Sequence, residues 1–262
     1  VAAGCGSSEE SLRPATAEER FASAKELFDR GSYLDAINEF RAVALQFSGT
    51  AVADDAQFYL GESHFARGEY LLASYEFGEL RRLMSASPLV PDAHYRIAEC
   101  FYMLSPKSSL DQQYTRKAIE EMQGAVEQFP KHPAAERATS MIRELTTRLA
   151  QKSFETARLY TRMEQWRAAL FYYDDVIEKY HDTDYGPQAY LGKTELLMTR
   201  RRYSEALSTI NRFIEVQPNS VFRSRADRLK GDIEAELEKV LGRRPEAAVP
   251  DGADGTSSTV RR

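Results

Sequence analysis

Residues 57–80, QFYLGESHFARGEYLLASYEFGEL, restrict what this chain can become more than any other stretch. They read as two helices folded back on each other. Leu60, Gly61 and His64 share one face of the first, Gly68 breaks it, and Tyr70, Ala73 and Phe77 line one face of the second. Small residues stand where the helices must touch, with large ones beside them. One such hairpin cannot bury that face alone, so it requires copies of itself on both sides.

The copies are there. Five hairpins align on the small residue of their second helix: Ala36, Ala73, Ala118, Ala169 and Ala206, at steps of 37, 45, 51 and 37 residues. The first spans about 18–47, with Gly31 and Tyr33 at its turn and Ala36 and Phe40 beyond it. The third has Ile97, Ala98 and Phe101, then Ala118, Met122 and Ala125. The fourth has Ala157 and Tyr160, then Trp166, Ala169, Tyr173 and Val176. The fifth has Tyr190 and Leu197, then Tyr203, Ala206, Ile210 and Phe213. The turn Gly-x-Tyr occurs as Gly31/Tyr33 and Gly68/Tyr70. Small residues at the crossing and a large aromatic four later resemble the tetratricopeptide repeat. That resemblance implies an all-α solenoid of degenerate helical hairpins.

The two long steps mark irregularities. SPKSSLDQQ, between Leu104 and Gln113, reads as a surface loop inside the third repeat. Between Pro133 and Trp166 there is no Gly or Pro, and Ala138, Met141, Ile142, Leu145 and Leu149 continue into Phe154, Ala157 and Tyr160. That spacing predicts one helix of about 30 residues, roughly 45 Å long. A helix over about 221–241 should cap the end. The expected organisation is a tether over 1–15 and an N-terminal lobe of three repeats over 16–132. A C-terminal lobe follows over 133–242, holding the long connecting helix, two repeats and the cap. A disordered tail over 243–262 rich in Pro, Gly, Ser, Thr and Asp completes it.

The formal net charge is -5, with acids and bases mixed, so the basic balance of non-specific nucleic-acid binders is missing. No apolar run is long enough to cross a membrane as a helix. Two cysteines make no disulfide framework. Cys100 falls among Ile97, Phe101 and Leu104, where a free thiol packs as a small apolar group. Cys5 follows the small apolar residues Val1, Ala2, Ala3 and Gly4 and precedes a flexible acidic stretch. This resembles the cleavage box of a bacterial lipoprotein signal, which implies acylation at Cys5 and anchoring by several chains. A chance Cys in an ordinary flexible terminus is the competing reading.

No catalytic constellation emerges. None of His64, His94, His132 and His181 stands at metal-ligand spacing, and no Gly-rich loop could cradle a phosphate. The adjacent acids Asp54-Asp55, Glu120-Glu121 and Asp174-Asp175 diverge on a helix. No enzyme activity, cofactor or metal is expected.

The remaining signal is a pattern of rings. Phe21 and Phe28, Phe58 and Phe65, and Tyr95 and Tyr102 lie seven apart on the first helices of three consecutive repeats. Residues seven apart share nearly one helix face. Lys25, Glu62 and Glu99 fall between the rows. In the fourth and fifth repeats the pairs are Phe154/Thr161 and Leu191/Met198, so the aromatic row fades. Two readings stay open: rings packed between adjacent first helices, or a groove for an extended peptide with apolar side chains. Arg200, Arg201 and Arg202 sit at the turn of the fifth repeat, either as a solvated helix end or as a contact for an acidic partner.

A lipid-acceptor Cys, a tether and five degenerate repeats together resemble the BamD family, the lipoprotein subunit of the bacterial β-barrel assembly machinery. The resemblance spans about residues 5–240. It rests on FDRGSYLDAINEF, DDAQFYLGESHFARGEYLLASYEF and LTTRLAQKSFETARLYTRMEQWRAAL. It implies an outer-membrane lipoprotein on the periplasmic face, palmitate at Cys5, and an N-terminal lobe that receives unfolded outer-membrane proteins for insertion. It further implies a C-terminal lobe docked on the central barrel subunit, with accessory lipoproteins alongside, as a monomer within the hetero-complex. A repeat lipoprotein that couples other envelope enzymes or secretion components is the second reading.

Overall fold

A computed structural model describes residues 15–242. Eleven helices account for the regular structure among the described residues. They are α1 (Ala17–Asp29), α2 (Tyr33–Gln46), α3 (Ala53–Ala66), α4 (Tyr70–Leu83), α5 (Val90–Leu104), α6 (Gln113–Gln128), α7 (Ala135–Arg162), α8 (Trp166–Lys179), α9 (Tyr185–Thr199), α10 (Tyr203–Val216) and α11 (Arg223–Gly242). The fold is an all-α array of tetratricopeptide-like hairpins, α1/α2, α3/α4, α5/α6, α7/α8 and α9/α10, followed by α11. The 28-residue α7 occupies the stretch without Gly or Pro. The chain divides into two compact units inside α7, between Lys152 and Ser153.

The five aligning alanines have no exposed surface, and neither do Phe40, Phe77 and Ile210, each four residues further on. A small side chain at the crossing lets the helices approach, and the large one fills the space beside it. At Gly61 the two helices of the second hairpin approach closely: an added Cβ would lie 2.7 Å from the Phe77 ring. In the first unit, Thr16 caps α1 in a capping box with Glu19, whose backbone N–H donates to Thr16 Oγ1 at 3.2 Å.

One turn recurs four times. Gly31, Gly68, Glu164 and Arg201 are all left-handed, with φ of 80°, 77°, 58° and 57°. In each, that residue's N–H and the next one's reach back to close the preceding helix: Gly31 to Phe28 O and Ser32 to Leu27 O, Glu164 to Thr161 O and Gln165 to Tyr160 O. This is the Schellman closure. An aromatic residue, Tyr33, Tyr70, Trp166 or Tyr203, opens the next helix two positions later. The sequence signal Gly-x-Tyr marks only two of the four, because Glu and Arg fill the left-handed position in the others.

The segment 105–112 is a loop, but it is pinned rather than free. Gln112 is fully buried and its Nε2 donates to Lys107 O at 2.8 Å and Leu110 O at 3.0 Å. Arg148 of α7 donates to Ser105 Oγ at 2.8 Å. Cys5 and the expected tail over 243–262 lie outside the described residues.

Candidate functional site

The rings singled out by spacing come together with partners the spacing does not show. Tyr59 sits among three of them and the core ring of Phe40, with centroids 6.0 Å from Phe21, 5.4 Å from Phe28, 6.2 Å from Phe58 and 5.6 Å from Phe40. Phe58 also leans on Phe77 at 5.3 Å, and Phe65 on Tyr70 at 5.1 Å. Phe21, Phe28, Phe58 and Phe65 are each half-buried: one part of the ring packs inward and the rest is accessible. Lys25 Nζ stands 5.2 Å above the Tyr59 ring and 5.7 Å above Phe28, held by Asp29 at 2.5 Å. A cation over an aromatic face is favourable.

In the second repeat the cation comes from the neighbouring one. The Arg96 guanidinium of α5 lies 3.9 Å from the centre of the Phe65 ring. It forks onto Glu62 of α3, with Nη2 donating to Oε2 at 2.7 Å, and reaches Glu99 at 2.5 Å. Arg137 of α7 continues the chain to Glu99 at 3.1 Å. Burial raises the Glu62 carboxyl above the usual glutamate range, and the Arg96 charge opposes that rise. The Arg96 guanidinium is raised above its ordinary value: burial works against the charge, and Glu62 and Glu99 outweigh it. Neither Tyr59 nor Arg96 follows from the seven-residue spacing. Arg96 meets Glu62 across 34 residues, and no local period reports such a pair.

The third repeat departs from the expected pattern. Tyr95 is 4% exposed and belongs to the core, not to a groove lining. Its hydroxyl donates to Phe129 O at 3.0 Å and its ring stacks on His132 at 4.6 Å. The reason is α7: Ala138, Met141 and Leu145 pack into the same cluster and cover that face. Tyr102 is half-buried, with its hydroxyl donating to Glu144 of α7 at 2.8 Å. Of the six rings, Tyr95 alone is buried; Phe21, Phe28, Phe58 and Phe65 form the half-buried row of the first two repeats, and Tyr102 is held by its bond to Glu144.

The three arginines of the fifth-repeat turn play separate parts. Arg200 caps α9, Arg201 takes the left-handed position, and Arg202 precedes α10 and donates to Glu205. Arg200 and Arg202 also stand 5.7 and 5.5 Å from the Trp166 ring, with Arg167 at 5.1 Å. The histidines have separate partners. His64 Nδ1 lies 2.7 Å from Glu69, and His94 packs edge-on to Phe129 at 5.1 Å. Among the described residues no cluster of three His, Cys, Asp or Glu could hold a metal ion. Burial pushes the Cys100 thiol up to about 12.

The family model for YfiO, described as an outer membrane lipoprotein, matches residues 13–196. The chain belongs to that family, also called BamD. No curated protein matches it. Among solved structures it is similar to three repeat proteins. The TPR2AB domain of yeast Sti1, solved as a complex with pHSP90, is 18% identical over 86% of each chain, with a TM-score of 0.45. A tetratricopeptide repeat protein from Parabacteroides merdae is 17% identical over 86% of this chain and 79% of that one, with a TM-score of 0.36. A thermophilic TPR protein from Thermus thermophilus is 14% identical over 85% of this chain and all of that one, with a TM-score of 0.35. No helix among the described residues is long and apolar enough to cross a membrane.

Proposed function

We propose that this chain is a scaffold and receiving subunit of an outer-membrane β-barrel assembly complex. Lipid on Cys5 holds it at the periplasmic face of the outer membrane. The first unit receives unfolded outer-membrane protein segments, and the second docks on the central barrel subunit. No covalent step or cofactor belongs to this reading; the work is binding and handover.

The observation that carries it is the half-buried row Phe21, Phe28, Phe58 and Phe65, in a member of an outer membrane lipoprotein family. An extended segment turns alternate side chains to one side. Apolar side chains on that side can lie against the accessible parts of the rings, with Lys25 and Arg96 close by. For docking, the positive turn around Trp166, with Arg167, Arg200 and Arg202, suits an acidic patch on a partner.

The test is a Phe28→Leu, Phe65→Leu double variant, which keeps most of the apolar volume. Its affinity for labelled unfolded outer-membrane protein segments should fall about five- to tenfold while helix content stays constant. Unchanged affinity removes the row from the reading. A pull-down from solubilised membranes should recover the central barrel subunit. Recovery of other envelope enzymes in its place would favour the adaptor role.

A further inference from the structure

Open space lies along the first helices of the second unit, in two cavities of about 290 and 500 Å3. Both are lined by Tyr173, Gly192 and Glu195, so they adjoin. The smaller adds Phe154, Arg158 and Phe222, and the larger adds Thr161, Trp166 and Arg200. Gly192 makes this arrangement possible: a Cβ there would meet the Tyr173 ring at 2.8 Å.

Repeat register identifies the unusual residue. Lys25, Glu62, Glu99, Arg158 and Glu195 occupy one equivalent position in the five first helices. Lys25 is paired with Asp29, Glu62 with Arg96, Glu99 with Arg96 and Arg137, and Glu195 with Arg225 at 2.5 Å. Arg158 alone of the five has no ion pair or hydrogen bond to a side chain among the described residues. It stands at a cavity whose other walls include the rings of Phe154, Tyr173 and Phe222. Arg225, which also lines the smaller cavity, pairs with Glu195 as Arg96 pairs with Glu62, so Arg158 is the one cation of that cavity without an ion pair among the described residues.

We infer that this cavity pair is a second peptide site, which takes an internal extended segment carrying an acidic side chain next to an aromatic one. The carboxylate meets the Arg158 fork, and the neighbouring ring enters the space walled by Phe154, Tyr173 and Phe222. The space continues past Arg158 towards Thr161 and Arg200, which suits a chain passing through rather than one that ends there. This second site is independent of the row in the first unit.

The experiment uses the full chain and three labelled octapeptides. One is blocked at both ends with a central Glu flanked by Phe, one has Gln for that Glu, and one keeps the Gln but has a free C-terminal carboxylate. The Glu peptide should bind at least tenfold tighter than the other two. Arg158→Gln should remove that preference without changing the affinity for the Gln peptide. Glu195→Gln, which frees Arg225, should strengthen binding of the Glu peptide. The Phe28→Leu, Phe65→Leu variant should keep the full preference for the Glu peptide over the Gln peptide, which separates this site from the row. Equal affinity for Glu and Gln peptides overturns the inference. So does a preference for the free C-terminus, a preference that survives Arg158→Gln, or a lack of measurable binding to the unaltered chain.

Discussion

The Arg96 guanidinium stacks 3.9 Å from the centre of the Phe65 ring while forking onto Glu62. One side chain of the third repeat therefore covers a ring and neutralises an acid of the second. Stacked hairpins are coupled to their neighbours, and this contact is a polar part of that coupling.

Replacing Arg96 by Met should destabilise the first unit by about 1–3 kcal/mol, below the range for a fully buried pair. The discount follows from exposure, since the two side chains keep 22% and 20% of their surface. Thermal unfolding measures it. No change in midpoint would show that the coupling is carried by apolar packing alone.

Glu62 offers a separate readout of the same contact. Burial raises its carboxyl pKa, so the folded chain holds that proton more tightly than the unfolded one. Ionising Glu62 thus costs stability as pH rises from the unfolded value through the raised folded value. Arg96 holds the folded value down. In Arg96→Met the Glu62 midpoint, followed by carboxyl NMR, should move higher still. A midpoint that stays or falls contradicts the assignment.

Glycine substitutions should divide by location. Gly61→Ala and Gly192→Ala each drive a Cβ to within 2.8 Å of a ring, Phe77 or Tyr173. Both should cost about 1–3 kcal/mol through overpacking. Gly78→Ala on α4 meets nothing within 4 Å and should gain roughly 0.5–1 kcal/mol from helix propensity. Denaturant midpoints compare the three, and a stabilising Gly61→Ala would mean that the ring moves aside freely.

The left-handed turns predict gains. Glu164 and Arg201 hold φ of 58° and 57°, where a non-Gly residue is strained by about 1 kcal/mol. Glu164→Gly and Arg201→Gly should each stabilise the second unit by roughly 0.5 kcal/mol, the rest being lost to unfolded-state entropy. Calorimetry of each variant decides the matter, and a lower midpoint in both would refute the strain argument.

Cys100 should be inert. Its thiol is buried and pushed up to about 12, and the thiolate is the reactive form. In a Cys5→Ser variant at pH 8, iodoacetamide should leave Cys100 unmodified until the chain is unfolded. Rapid alkylation of the folded protein, seen by mass spectrometry, would show that the site opens readily.

The hairpins were readable from local spacing because a helix crossing is a local demand. Ala36, Ala73, Ala118, Ala169 and Ala206 must be small for geometric reasons, and all five are fully buried. The uninterrupted α7 was readable for a similar reason: a helix persists where nothing breaks it. The left-handed positions of Glu164 and Arg201 were not, since neither residue type signals a turn; the flanking packing imposes the conformation. The ring faces depended on distant chain. The same seven-residue spacing leaves Phe58 and Phe65 half-buried but buries Tyr95, because Ala138, Met141 and Leu145 of α7 cover the third repeat. Spacing chooses which residues share a helix face. What lies over that face is settled by residues 34 or more positions away, such as Arg96 on Glu62 and Glu144 on Tyr102, and by whether a partner such as that of Arg158 is missing.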